Sequence, residues 1–370
     1  MKTLRILGIR GVPATHGGFE TFAEHLSKYL VDRGWRVVVD CQKEGAGQSY
    51  NGSWEGVELV NIPVSGDGAL ATVKFDLRST IHASEFKNDL CLILGYNTAS
   101  FAAILRARGV RTVMNMDGIE WSRAKWGILA KSWLWLNERA GCHICHALVA
   151  DHPEIATHLQ TRVPAKKITT IAYGAKEVVE ADRSLLDPFN VVPHQFATVI
   201  ARPEPENSLL EIVQAYSQAR RGIPLIVLGK YEHGSAYHRS VIAAASSEVR
   251  FVGAVYDKNV VQALRYFSSF YLHGHQVGGT NPSLVEAMGA GNAILAHGNR
   301  FNRWVAGSGA LYFNDVEELS GHISTVLEKP AERDRLSQES KARFSAEFTW
   351  DFILAKYETL LSASSSAANE

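Results

Sequence analysis

A chain of 370 residues is longer than one hydrophobic core usually serves, so two domains are expected, and 46% hydrophobic with 21% charged content is ordinary for a soluble globular protein. Lys+Arg and Asp+Glu each number 38, which leaves a formal charge of zero and removes the bulk electrostatic case for nucleic acid as a partner.

Met1 leads directly into Lys2-Thr3-Leu4-Arg5-Ile6-Leu7-Gly8, which reads as a first strand and lacks the apolar core of a signal peptide. The expected location is the cytoplasm. No stretch reaches the roughly 18 uninterrupted apolar residues of a membrane span, which leaves attachment to the inner membrane face open. Further strands are predicted at Arg36 to Asp40, Leu90 to Leu94, Thr112 to Met116 and Ala147 to Ala150, with amphipathic stretches such as Glu20 to Arg33 between them. These are βα repeats with parallel-sheet logic. The pattern pauses between about Lys176 and His194, where Asp182, Asp187, Pro188 and Pro193 interrupt any apolar period; an interdomain linker is expected there.

The repeat resumes with Phe196 to Ile200, Pro224 to Leu228, Val249 to Val252, Ser269 to Leu272 and Ala293 to Ala296. Helices are then predicted over Pro330 to Phe348 and Trp350 to Leu361, before a Ser/Ala-rich tail expected to be disordered. The domain assignment is 1–175 and 176–348, both Rossmann-like, with helix 349–362 returning to the first domain and a tail at 363–370. Two doubly wound domains facing across a cleft would bring strand-end crevices opposite each other.

Cys142-His143-Ile144-Cys145-His146 formally matches the pattern for covalent haem attachment. It runs from a predicted helix straight into the apolar Ala147 to Ala150 strand, so packing is the preferred reading. With no second Cys/His pair nearby, a zinc site is equally disfavoured, and four cysteines in all are expected as inert thiols.

Two loops carry the candidate chemistry. Gly8-Ile9-Arg10-Gly11-Val12-Pro13-Ala14-Thr15-His16-Gly17-Gly18-Phe19-Glu20-Thr21-Phe22 joins the first strand to the first helix. Gly17 and Gly18 let a ligand approach the backbone closely, and the helix that follows offers unpaired N–H groups to a diphosphate. Neither a P-loop nor a G-x-G-x-x-G pattern is present, which argues against an ATPase or dinucleotide enzyme. The second loop, His273-Gly274-His275-Gln276-Val277-Gly278-Gly279-Thr280-Asn281-Pro282-Ser283-Leu284-Val285-Glu286-Ala287-Met288, runs from a buried strand into a helix. Gly278, Gly279 and Thr280 make a close-approach turn, Ser283 can cap the helix, and Glu286 can accept the hydroxyl protons of a ribose. A capping-box role for Glu286 stays open beside the ribose role.

These two loops, with Asp117-Gly118-Ile119-Glu120-Trp121-Ser122-Arg123-Ala124-Lys125-Trp126 and Ala201-Arg202-Pro203-Glu204-Pro205-Glu206-Asn207, resemble the retaining glycosyltransferases of family four, in the branch of bacterial polysaccharide rhamnosyltransferases. The resemblance covers nearly the whole chain. It implies a GT-B fold, an enzyme needing neither metal nor cofactor, a nucleotide-sugar donor held mainly by the C-terminal domain, and a glycan or lipid-linked acceptor held by the N-terminal one.

Carried over by position, Arg202 looks like the diphosphate arginine and Glu286 like the ribose carboxylate. Gly279, Thr280 and the neighbouring Gly278 and Asn281 look like the donor loop, and Val255 with Tyr256 like the base contact. Asp117 looks like a cleft residue touching the donor sugar, with Glu120 as alternative and a helix cap as the plain reading. On the acceptor side stand His16, Glu120, Trp121 and Arg123; His16 serves equally well as a loop hydrogen-bonder. Two departures stand out: Glu206-Asn207 occupies the place of a second cation, and Gly278 that of the first acid in an E-x7-E element. The implied donor is dTDP-L-rhamnose, ahead of UDP- and GDP-sugars. A non-catalytic nucleotide-sugar-binding protein and a sugar-nucleotide epimerase remain as rival readings.

Finally, Trp121, Trp126, Trp133 and Trp135 lie among Arg123, Lys125 and Lys131. That mixture suits a lipid headgroup boundary, or equally a packed core with a solvated charged face.

Overall fold

The protein is described by a computed structural model covering residues 2–15, 17–123 and 125–366. Most of its strands are short runs of apolar side chains buried on both faces, as a helix-covered parallel sheet requires. The first eight are β1 (Thr3–Leu7), β2 (Arg36–Glu44), β3 (Tyr50–Trp54), β4 (Val57–Val64), β5 (Leu90–Leu94), β6 (Arg111–Asn115), β7 (Ala147–Ala150) and β8 (Ile168–Thr170). Between them run α1 (Gly18–Val31), α2 (Gly68–Ala83), α3 (Ala102–Ala107), α4 (Ile128–Ile144) and α5 (Pro153–Gln160). These strands form one sheet in the order β3-β4-β2-β1-β5-β6-β7-β8, parallel except where β3 joins β4. That hairpin turns on Glu55 and Gly56, both at positive φ as a two-residue turn demands.

The second sheet holds β9 (Ala197–Ile200), β10 (Leu225–Leu228), β11 (Val249–Gly253), β12 (Phe270–His273), β13 (Ile294–His297) and β14 (Ala310–Phe313). Its order is β11-β10-β9-β12-β13-β14, all parallel. Its helices are α6 (Leu209–Ser217), α7 (Ala236–Ala243), α8 (Lys258–Tyr266), α9 (Pro282–Gly289), α10 (Arg300–Ala306), α11 (Val316–Glu328) and α12 (Pro330–Glu347), after which comes α13 (Trp350–Ser366).

Contacts divide the chain into two compact units, one running to Ala172 and resuming at Trp350, the other Tyr173–Thr349. The last helix is held in the first unit by apolar and polar contacts together. Trp350 stacks on His25, Tyr357 packs on Phe22, and the Tyr357 hydroxyl accepts from Asn115 Nδ2 at 2.8 Å.

The structure differs from the sequence reading in several places. The stretch expected as linker contains a 3-10 helix, Arg183–Phe189, whose Leu186 is buried against Phe196, Ile226 and Leu264 in the second unit. The last helix continues past Leu361 to Ser366. At α9 the capping side chain is Asn281, which accepts from the Ser283 N–H at 2.9 Å, so Ser283 is not the cap and the Ser283/Glu286 capping box does not form. Proline at the first helical position makes Asn281 the natural cap.

Asp40 on β2 is fully buried, accepts from Ser79 Oγ at 2.5 Å, and has its pKa pushed up to about 7 by burial. A folded-state pKa above the unfolded one near 4 means that the folded chain binds the extra proton, so stability is present below pH ~4 and lost as pH rises through ~7. Across that window, Asp40→Asn is expected to gain about 2–4 kcal/mol relative to the parent, read from paired denaturation curves at pH 4 and pH 8.

Candidate active site

In each unit the chain starts in the middle of the sheet, builds outward on one side, then crosses to build on the other. The second unit switches between β9 and β12, the first between β1 and β5. Loops leaving the carboxyl ends of such strand pairs form the ligand crevice of open α/β sheets.

At the β9/β12 switch the two loops are laced together. Ser208 Oγ donates to the Gly274 carbonyl at 2.8 Å, Gln276 Nε2 donates to Ser208 Oγ at 2.7 Å, and the Gln276 N–H donates to the Glu206 carbonyl at 2.9 Å. His275 Nδ1 and Asn207 Oδ1 stand 2.6 Å apart. The approach is so close that a Cβ on Gly274 would lie 2.2 Å from the Asn207 carbonyl oxygen, so only glycine fits.

Arg202 follows β9. Its carbonyl accepts from Asn207 Nδ2 at 2.8 Å, and its side chain is 66% exposed with Glu204 Oε1 3.8 Å away. The backbone is pinned while the guanidinium reaches outward. Asn207 thus holds the arginine loop.

The β12 loop passes through Gly278 and Gly279, both at positive φ, to the buried Thr280 and the Asn281 cap. Glu286 then projects from α9 with 39% of its side chain exposed, its Oε2 2.7 Å from Nη2 of Arg265, a guanidinium only 5% exposed. The same Nη2 donates to Ser283 Oγ at 3.0 Å, and Ser283 Oγ donates to the carbonyl of Ile200, the last residue of β9, at 3.2 Å. The start of α9 is therefore tied to the strand end that carries Arg202. Sequence reasoning missed Arg265 entirely, since it lies on α8 between Leu264 and Tyr266 with no motif around it. Val255 and Tyr256 follow the edge strand β11, two strands from the switch; Val255 packs on the core beneath and Tyr256 is 85% exposed.

In the first unit the loop after β1 is held from behind by α1. Glu20 Oε1 accepts from the Arg10 N–H at 3.2 Å and Glu24 Oε2 from the Ala14 N–H at 2.7 Å. Gly17, at φ 55°, precedes the helix that Gly18 begins. The Glu20 carboxylate thus places a negative charge of the chain's own at that helix start. His16 lies outside the described residues.

The loop after β6 turns at Asp117, whose φ of 52° is left-handed. Its N–H donates to Asn115 Oδ1 at 3.0 Å, so it is not a helix cap but the pivot of a turn. Burial, then the neighbouring Glu120 carboxylate, raises the Asp117 pKa, and Arg123 and Lys125 only partly offset them. Glu120 itself pairs with Arg123 Nε at 2.9 Å and accepts from Trp126 Nε1 at 3.3 Å. Trp121 Nε1 donates at 2.7 Å to the buried Glu138, which also meets His158 Nε2 at 2.9 Å and Arg162 Nε at 3.1 Å. Burial pushes the Glu138 pKa up, but the hydrogen bonds from His158 and Trp121, with the Arg162 charge, outweigh it and hold the carboxyl below its ordinary value. Glu120, Trp121 and Arg123 are thus engaged within the loop and α4.

Cys142 and Cys145 are fully buried, which pushes their thiols up to about 12 and about 11, and His146 Nδ1 accepts from the Thr112 N–H. Neutral, enclosed thiols have no access to a haem vinyl group. No helix among the described residues is long and apolar enough to cross a membrane.

Residues 210–359 match a family model described as glycosyl transferase-like, and residues 1–176 one described as a domain of unknown function (DUF1972). No curated protein matches the chain. Among solved structures, sucrose-phosphate synthase from Thermosynechococcus elongatus superposes with a TM-score of 0.83 at 15% identity, covering 99% of this chain and all of that one. HepE from Anabaena, in complex with UDP and glucose, gives 0.76 at 17% identity, covering 98% and 99%. The α,α-trehalose 6-phosphate synthase from Burkholderia multivorans gives 0.75 at 12%, covering 99% of both. The chain has the GT-B fold of these proteins, with two Rossmann-like domains.

Proposed function

We propose that this chain is a metal-independent, retaining glycosyltransferase that moves a sugar from a nucleotide donor to a glycan or lipid-linked acceptor in cell-surface polysaccharide synthesis, with dTDP-L-rhamnose as the favoured donor. The observation that carries the reading is the link at one switch point between the exposed guanidinium of Arg202 and, through Ser283, the helix bearing the half-exposed Glu286. A nucleoside diphosphate presents both complements: a pyrophosphate for Arg202 and a sugar hydroxyl for Glu286. The match of residues 210–359 to a glycosyl transferase-like family model, and a structural neighbour solved with UDP and glucose, support the same choice.

As the bond from the donor's anomeric carbon to the phosphate oxygen breaks, negative charge develops on the leaving diphosphate, and Arg202 with the amides of the Gly278-Gly279-Thr280 loop stabilises it. The acceptor oxygen bonds to that carbon from the same face, and its proton passes to the departing phosphate. Asp117 touches the donor sugar. Gly17 and Gly18 admit the donor close to the backbone; His16, Glu120, Trp121 and Arg123 shape the acceptor side, and Val255 with Tyr256 meets the base.

The test is a thermal-shift screen of dTDP-, UDP- and GDP-sugars followed by assay of nucleoside diphosphate release. Stabilisation by dTDP-L-rhamnose and acceptor-dependent release are expected. Binding without release under any acceptor would point to a binding protein, and conversion of the donor without acceptor to an epimerase.

The lipid-linked acceptor suggests a membrane-facing surface, and α4 supplies one. Ile128 and Leu129 are 83% and 87% exposed, Trp135 and Leu136 stand beside them in the same helix, and from Trp121 to Asn137 the sequence has Arg123, Lys125 and Lys131 but no acid. Exposed apolar side chains with Lys131 among them suit an anionic bilayer, while Arg123 and Lys125 stand against Glu120. Trp121 is engaged instead with the buried Glu138, and Trp133, though 43% exposed, donates its indole N–H to the Asn97 carbonyl. Flotation with vesicles rich in anionic lipid is expected for the parent chain and lost on Ile128→Glu with Leu129→Glu. Equal flotation of both would remove α4 from the interface.

A further inference from the structure

The structure assigns to Arg265 a role that no sequence motif marks: we infer that it is a positioning residue, a buried cation that holds the Glu286 carboxylate fixed and aimed at the donor's ribose. The inference rests on the ribose role given to Glu286 above and adds to it the device that makes the carboxylate selective.

The pair is lopsided. Arg265 sits at the last turn of α8, a helix started by the Asp257 cap, and its side chain is all but sealed from solvent, whereas Glu286 stands at the surface of α9. A guanidinium enclosed to that degree must be paired, because an isolated buried charge is strongly unfavourable. Nη2 meets both Glu286 Oε2 at 2.7 Å and Ser283 Oγ at 3.0 Å, one turn apart on the same helix. Ser283 Oγ is itself fixed by the Tyr271 hydroxyl at 2.7 Å and by the Ile200 carbonyl at 3.2 Å. Asn292 Nδ2 donates to the Arg265 carbonyl at 2.8 Å, which holds the end of α8. Nη2 is thus set by Ser283 Oγ, which Tyr271 and Ile200 fix in turn, while Asn292 holds the Arg265 backbone and Nε has no hydrogen-bond partner among the described residues.

A glutamate on a helix surface ordinarily samples several rotamers, and each must be surrendered when a ligand binds. Here one carboxylate oxygen is already anchored on a fixed donor, so the carboxylate is set in place before the ligand arrives. Arg265 lies behind Glu286 and too deep to meet the ligand itself, so its effect passes through the carboxylate. An arginine whose only duty was to join α8 to α9 would have no influence on which nucleotide is bound.

That difference sets the experiment. Affinities are measured by titration calorimetry for thymidine diphosphate and uridine diphosphate, and for their 2′,3′-dideoxy counterparts, on the full-length chain. The parent is expected to prefer the hydroxyl-bearing nucleotide by about 10-fold or more, the worth of a hydrogen bond to a charged group. In Arg265→Met the preference is expected to fall to within about 2-fold, and in Arg265→Lys, which keeps a cation but not the fork, to an intermediate value. Should Arg265→Met fail to fold, Arg265→Lys carries the same readout. If either variant weakens both nucleotides equally and leaves the ratio unchanged, Arg265 is a helix tie only and the inference is overturned. A parent without any preference would remove the ribose role from Glu286 itself, and the inference with it.

Discussion

Arg202→Ala is expected to lower kcat by about 100- to 1,000-fold, the range found when one preorganised donor to a developing anion is removed. The melting temperature is expected to move by less than about 2 °C, as for an exposed side chain without packing duties. Both expectations follow from where the guanidinium stands. Its carbonyl is fixed by Asn207 and its side chain is two-thirds exposed, with an acid no nearer than 3.8 Å. Because the loop from Ala201 to Ser208 has no other Lys or Arg, no other side chain of that loop can take over the charge. Arg202→Lys should recover only part of the rate, since a point charge does not reproduce a bidentate contact with phosphate. An alanine variant within a factor of about three of the parent would take the diphosphate role away from Arg202.

The fold was legible where burial was complete. Strands such as Leu90–Leu94 and Ala147–Ala150 are apolar on both faces and read as runs from the sequence. Strand β3 was not legible, because Tyr50–Trp54 is nearly all exposed and its Tyr-Asn-Gly-Ser-Trp sequence has no apolar face to betray it; only pairing with β4 makes it a strand. The Arg183–Phe189 helix was hidden by its own breakers, Asp182 and Pro188, although Leu186 between them is a core residue.

At the site, the glycine loops and Glu286 could be read from local spacing, since loop geometry is local, whereas the role of Arg202 comes from the family resemblance. Arg265 could be found by neither. Its partners are 18 and 21 positions away on another helix, and the juxtaposition exists only once α8 and α9 pack side by side. Local patterns also mislead where two caps compete, as Asn281 and Ser283 do. The proline between them decides for Asn281 and frees the serine hydroxyl to work as the bridge between Arg265 and the end of β9.

That bridge changes what is expected of Glu286. Glu286→Ala removes the proposed ribose acceptor and also strands the Arg265 guanidinium in the protein interior. Stranding one partner of a fully buried pair costs about 3–5 kcal/mol. With Glu286 partly exposed the figure is smaller, about 1–3 kcal/mol, or several degrees of melting temperature in a unit of this size. Glu286→Gln separates the two effects. Its carbonyl oxygen can still accept from Arg265, so the fold should melt within about 2 °C of the parent. Its amide nitrogen cannot accept a ribose hydroxyl, so kcat/KM for the donor should fall by about 10- to 100-fold. If the glutamine variant keeps the parent's kcat/KM, Glu286 serves only to neutralise Arg265. If the alanine variant melts with the parent, the pair contributes nothing to the fold, and the carboxylate is held by something other than the buried arginine.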